Sequence, residues 1–245
     1  AREKEEATLR AENEKLRANL LRSISHDLRT PLTAISGNAS ILLSDSENLD
    51  VDARKQMYGD IYDDSAWLHN LVENLLAVTK IEEGRMELKT QPQLVEEIVS
   101  EAMQHISRKR SEHTITVTHE DDLLLAQCDA RLIVQTIINL VDNAIKYTPV
   151  GSRIWISSRW ADNMAVFSVA DDGPGIPDQE KKQIFQMFYT GSTAVADSRR
   201  SLGLGLSLCK SIVTAHGGTI TVSDNQPVGT VFTFTIPAGE VEVHE

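Results

Sequence analysis

The first 84 residues carry apolar stripes too wide for one pair of helices to bury, and this limits what the chain can fold into. Residues 1–22 are charged and contain neither Gly nor Pro. Leu9, Asn13, Leu16 and Leu20 recur at spacings of four, three and four. That is the seam of a coiled coil with one polar position, which fixes register at some cost in stability; a single solvated helix is the plainer alternative. The stripe continues through Ile24, Leu28, Leu32, Ile35 and Leu42, and a polar break runs from Ser44 to Asp52. A second helical pattern (Met57, Ile61, Trp67, Leu68, Leu71, Val72, Leu75, Leu76, Val78) stops near Glu83-Gly84, with Gly84 as the C-cap. Two such hairpins bury what one leaves exposed by closing into a four-helix bundle. The pattern therefore predicts a homodimer.

The chain has 245 residues, 41% of them hydrophobic, enough for one large or two modest cores. A formal net charge of −12 makes it a poor candidate for binding nucleic acid or for adhering to an anionic membrane through a basic patch. Cys128 and Cys209 lie far apart in apolar surroundings, as expected of buried reduced thiols in a cytoplasmic protein. No apolar run approaches the roughly 18 residues of a membrane span, and no signal peptide is recognisable. The chain opens in helical sequence without Met and reads as a fragment whose membrane attachment, if any, lies in segments absent from it.

After Gln91-Pro92 the character changes. Residues 93–109 read as an amphipathic helix, 114–118 and 123–128 as strands, and Asp129 as the cap of a helix that ends at Thr148-Pro149. Arg153 to Trp160 and Met164 to Ala170 alternate around Ala161-Asp162-Asn163, a hairpin signal. Residues 207–215 form a helix closed by Gly217-Gly218, and 219–223 with 230–236 make a last hairpin. The expected fold is an all-α helical-hairpin dimerisation domain followed by an α+β two-layer sandwich. The expected boundaries are 1–22 for the linker helix, 23–86 for the hairpin and 92–240 for the sandwich domain.

Four segments carry chemistry. Ser25-His26-Asp27-Leu28-Arg29-Thr30-Pro31-Leu32 sits in the first helix, where Pro31 deprives the Asp27 carbonyl of its partner and should bend the helix. His26 and Thr30 share a face at i, i+4. A neutral imidazole is a good nucleophile near pH 7, and an adjacent carboxylate can hold its tautomer and take a proton; a surface histidine in a kinked helix is an equal alternative for this segment alone. On the helix after Asp129, Asn139, Asn143 and Lys146 form a polar stripe suited to Mg²⁺ and a phosphate, or simply to water. Asp171-Asp172-Gly173-Pro174-Gly175-Ile176-Pro177 follows a strand; its glycines admit a ligand and its carboxylate can accept from an exocyclic amine, although Asp-Gly and Pro-Gly also simply make turns. Leu202-Gly203-Leu204-Gly205-Leu206 opens onto a helix N-terminus, an anion site. Between Phe188 and Gly203 a polar stretch with Arg199 and Arg200 has the composition of a lid, or of an ordinary loop.

Taken together, the order of these segments resembles the sensor histidine kinases of two-component systems, over essentially the whole chain. The H box is SHDLRTPL at 25–32, the N box NLVDNAIKYTP at 139–149 and the G1 box DDGPGIP at 171–177. The F box is FQMF at 185–188, the G2 box GLGL at 203–206, and a G3-like GTVF lies at 229–232. The run SISHDLRTPL resembles the potassium-responsive Kdp-type sensor kinases in particular. The resemblance implies that the sandwich domain binds ATP with Mg²⁺ and that His26 takes the γ-phosphoryl, with Asp27 as base or tautomer-holding acid and Thr30 positioning a water for regulator dephosphorylation. It implies Asn143 and Asn139 at the metal, Lys146 on phosphates, Tyr147 beside the nucleotide and Asp171 on the adenine amine. Gly173, Gly175, Gly203 and Gly205 would shape the pocket, with Arg199 and Arg200 reaching phosphate oxygens. Ser201 stands where the G2 pattern usually has a further glycine. The implied partner is a response regulator receiver domain. A catalytically silent ATP-binding scaffold that docks a regulator is the alternative function; an ATP-driven clamp would need no His26.

Overall fold

The computed structural model describes residues 28–45, 48–82, 88–106, 112–121, 123–189, 191 and 203–239. The expected coiled-coil seam at 1–22 and the C-cap at Gly84 lie outside the described residues. The chain divides into two compact units, 1–73 and 74–245.

In the first unit a helix, α1, covers 28–45 and continues on both sides of Pro31. The expected polar break is a turn held by its own side chains. Asn48 donates through its amide to Asp45, and Asp50 caps the next helix by accepting from Ala53 N at 2.6 Å. That helix, α2, runs Val51–Glu82, 32 residues or about 48 Å at the usual rise. Leu32 and Leu43 on α1 and Tyr58 and Tyr62 on α2 remain exposed, so this unit alone leaves part of its apolar stripes in water. Among the described residues no helix is long and apolar enough to cross a membrane.

In the second unit, after the last turns of α2, β1, Gln91–Leu94, pairs antiparallel with β3, Leu125–Cys128. The helix expected over 93–109 is α3, Val95–His105; it starts later because the ladder claims the preceding residues, and Val95 N then donates to Leu124 O at 2.9 Å. β2 (Thr114–His119), β4 (Arg153–Ala161), β5 (Met164–Asp171), β6 (Ile220–Asp224) and β7 (Thr230–Pro237) form a five-stranded sheet in the order β2-β4-β5-β7-β6. The β2–β4 pairing is parallel and the other three are antiparallel. One sheet face is covered by α4 (Ala130–Tyr147) and α6 (Gly205–Ala215), which pack against each other, and α3 packs against α4 and β1. Alternation along the strands follows from this: Ile154, Ile156 and Ser158 are buried while Trp155 and Ser157 are half-buried. A short helix, α5 (Asp178–Lys181), lies between β5 and α6 in sequence. The α+β two-layer sandwich is as expected.

Asp129 departs from expectation. It stands at the N-cap position of α4, yet its side chain makes no capping bond. Its carboxylate accepts from Lys89 N at 3.3 Å, and its own N–H donates to His216 Nε2 at 3.1 Å. These partners are remote in sequence, and they tie residue 89 and the end of α6 to the start of α4.

Phe167 and Phe234 stack at the centre of the sheet, with ring centroids 4.6 Å apart and both rings fully buried. Replacing Phe234 by Ala should cost the second unit about 3–5 kcal/mol. Urea denaturation checks this, and a loss under about 1 kcal/mol would show the stack to be dispensable.

Candidate functional site

β5 ends on Asp171, 6% exposed, and everything at the site is arranged around that carboxylate. Its Oδ1 accepts from Gly173 N at 2.9 Å and from Thr230 N at 3.2 Å. The Asp171 carbonyl accepts from Asn225 Nδ2 at 2.8 Å. Burial lifts the carboxyl above the ordinary aspartate value, against the Gly173 and Thr230 N–H bonds that pull it down.

Asp171 lines a cleft of about 240 Å³. α4 contributes Asn143, Ala144 and Tyr147 to its wall, the segment after β5 contributes Gly175 and Ile176, and the start of α6 contributes Gly203, Gly205 and Leu206. Thr230 and Phe232 of β7 also line it, with Phe185 edge-on to Phe232 at 6.2 Å. The cleft is thus apolar inside with a few convergent polar groups, the usual make-up of a small-molecule site.

The predicted residues separate into three groups. Asn143, Tyr147, Asp171, Gly175, Gly203 and Gly205 line the cleft. Gly173 backs it: a Cβ there would meet Thr148 Cγ2 at 2.6 Å and Asp171 Oδ1 at 3.0 Å. Lys146, in the last turn of α4, holds Nζ 5.3 Å from the Tyr147 ring centroid. Asn139 sits one turn before Asn143 and is not a cleft residue. Its Oδ1 accepts from Gln135 Nε2 at 3.2 Å, and its side chain faces Gly205. Thr30 lies on the exposed side of α1. His26, Asp27, Arg199, Arg200 and Ser201 lie outside the described residues.

Gly203 shows why a glycine stands in the GLGL run. Its φ is +64°, and a Cβ would lie 2.5 Å from Tyr189 O. Phe188, itself at φ +66°, donates its N–H to Gly203 O at 3.0 Å, so the two ends of the intervening segment meet at the cleft. Sequence reasoning missed three contributors. Tyr189 and Glu180 line the cleft and are hydrogen-bonded to each other through the phenol, and Asn225 reaches Asp171 across 54 residues. Only the nearby Gly229-Thr230 carried a signal, as part of the G3-like run. The two cysteines are buried thiols, as expected; loss of water around them, the chief cause for each, pushes both up to about 12.

Two family models match. Residues 128–240 fit the histidine kinase-, DNA gyrase B- and HSP90-like ATPases, and residues 16–84 fit the His Kinase A phospho-acceptor domain. The catalytic domain of histidine kinase ThkA is 32% identical, with a TM-score of 0.55, covering 62% of this chain and 96% of that one. The chain belongs to the sensor histidine kinases. Sensor protein KdpD of Clostridium acetobutylicum is 44% identical over 97% of this kinase chain, which in turn spans 26% of that relative's length. ThkA in complex with the response regulator protein TrrA superimposes with a TM-score of 0.60 at 27% identity, covering 93% of this chain and 64% of that one. Both halves of the expected architecture, helical hairpin and ATPase sandwich, are those of this family.

The lifted carboxyl of Asp171 has a consequence for this kinase's stability. The folded state holds that proton more tightly than the unfolded chain, so stability falls as pH rises from 3.8 through the lifted value. At neutral pH the domain carries that cost in full. Asp171→Asn keeps an oxygen for the Gly173 and Thr230 N–H groups and removes the charge. Its thermal midpoint at pH 7 should equal or exceed wild type, with the advantage shrinking as pH approaches 3.8. A midpoint well below wild type at pH 7 would contradict this reading.

Proposed function

We propose that this chain is the core of a sensor kinase that autophosphorylates His26 from ATP and passes the phosphoryl group to an aspartate of a response regulator receiver domain. The observation that carries the reading is the buried Asp171 carboxylate. Gly173 and Thr230 both bond to Oδ1, which leaves the second oxygen for a ligand in the cleft. A nucleobase amine donates to such an acceptor, and the apolar cleft walls suit a flat purine.

The phosphates would then run towards the start of α6, where backbone N–H groups open at Gly203 and Gly205 and favour an anion. Lys146, in the last turn of α4, would add a cation for the phosphates. A divalent ion takes oxygen ligands, and Asn143 carries one in the cleft wall. Asn139 fits the metal less well in this conformation, since its oxygen faces Gln135. When bound, Mg²⁺ would neutralise charge on the phosphates. Phosphoryl transfer asks more of positioning and charge neutralisation than of covalent help. A ring nitrogen of His26 would form the new N–P bond as the P–O bond to ADP breaks, with Asp27 holding the imidazole and taking its proton. Thr30, exposed on α1, is suited to holding a water for removal of phosphate from the regulator.

The exposed apolar side chains of α1 and α2 support the homodimeric four-helix bundle. The net charge of −12 supports a protein that binds no nucleic acid, and the buried free thiols of Cys128 and Cys209 support a cytoplasmic one.

Incubation with γ-labelled ATP and Mg²⁺ tests the reading. Acid-labile, base-stable label should appear on the wild-type chain and be absent from His26→Gln. ATP binding without label would instead make the chain a silent scaffold.

A further inference from the structure

The turn between β6 and β7 touches Asp171 at more points than a connector requires. Asn225 N donates to Gly229 O at 3.0 Å, which closes the turn on itself. Gly229, at φ +122°, presses its backbone against β5: a Cβ there would lie 1.9 Å from Asp171 O, so no other residue fits. The next residue, Thr230, then delivers its N–H to the Asp171 carboxylate. Asn225 joins the two sides. Its Nδ2 donates to Asp171 O at 2.8 Å, while its Oδ1 accepts from Gln226 N at 2.9 Å within the turn. Beside it, Lys181 bridges Asp178 of α5 and Asp224 at 2.6 Å each, tying the turn to the segment that follows Asp171.

We propose that Asn225 is a positioning residue for purine recognition: its side-chain amide clamps the turn to Asp171 so that Thr230 N–H holds one carboxylate oxygen and the other faces the exocyclic amine of the base. The proposal rests on the ATP reading of the cleft. Asn225 touches no reacting atom and acts only through Asp171. Without its amide donor the turn keeps Gly229 against β5 but loses the bond that sets its angle. Thr230 N–H then drifts, and Oδ1 keeps only the Gly173 N–H, which holds the carboxylate plane less firmly. The loss falls on the amine contact and spares the phosphate end, because Asn143 and the start of α6 belong to other elements.

The test compares Mg-ATP with Mg-purine riboside triphosphate, which lacks only the exocyclic amine, by calorimetry on the full chain. Wild type should bind ATP about tenfold or more tightly than the analogue, the range of a hydrogen bond to a charged acceptor. Asn225→Asp keeps the acceptor for Gln226 N and removes the donor; Asn225→Ala removes both. Each should weaken ATP severalfold, towards the level of the analogue, and leave the analogue's affinity within about twofold of wild type. Thermal midpoints identify a variant that fails to fold, and the isosteric Asn225→Asp is the one to rely on then. Equal weakening of both ligands would mean a merely structural turn, and unchanged ATP affinity would mean Asp171 needs no such clamp. Either result overturns the proposal and leaves the ATP reading intact. Wild type that binds both ligands equally would overturn this proposal alone, and wild type that binds neither would overturn the ATP reading and this proposal with it.

Discussion

A carboxylate held out of water at the end of β5 sets the geometry of everything around it. Burying Asp171 costs stability at neutral pH, and two backbone donors to one oxygen, from segments far apart in sequence, offset only part of that cost. The need for those donors explains local features which otherwise look arbitrary. Gly229 must let the β6–β7 turn come within contact of Asp171 O, and Gly173 must let the chain pass Thr148. Phe167 and Phe234, stacked across the β5–β7 pairing, keep these strands in register, and so keep Asp171 and Thr230 adjacent. A site whose key group is destabilising when the cleft is empty is common where function and stability compete.

The chain separates two tasks. The ATPase unit is a packed sandwich whose cleft is lined from α4, β5, α5, β7 and the start of α6, and its helices and strands bury a continuous apolar core. The helical unit is the reverse, with exposed Leu, Tyr and Val along two helices. One is built to hold a small molecule rigidly and the other to be completed by further protein. This division suits a reaction in which nucleotide and nucleophile sit on different units and catalysis consists largely of bringing them together.

Much of this was legible from residue order. The Asp162-Asn163 turn takes φ of 50° and 61°, as a tight hairpin of that sequence requires, and α4 stops where Thr148-Pro149 says it should. Asn143, Tyr147 and the glycine runs reached the cleft because local spacing places them on a helix face or at a helix start. What was not legible depends on partners distant along the chain. β1 holds Pro92 and few apolar residues, and it is a strand only because β3 is there to pair with it; its single neighbour leaves the other edge open, where a missing N–H is tolerated. Asp129 reads as a side-chain cap, yet Lys89 and His216 claim it. The parallel β2–β4 pairing and the reach of Asn225 to Asp171 leave no periodic trace. Asn139 lies on the predicted stripe, but a helix face spans more arc than a cleft wall, and it falls towards α6 instead.

A crystal structure of the chain with Mg²⁺ and a non-hydrolysable ATP analogue tests the central claim most directly. The purine should lie in the cleft with its exocyclic nitrogen about 2.7–3.2 Å from a carboxylate oxygen of Asp171, while Gly173 and Thr230 N–H remain on the other oxygen. A purine seated elsewhere, with Asp171 bonded only within the protein, would contradict the account.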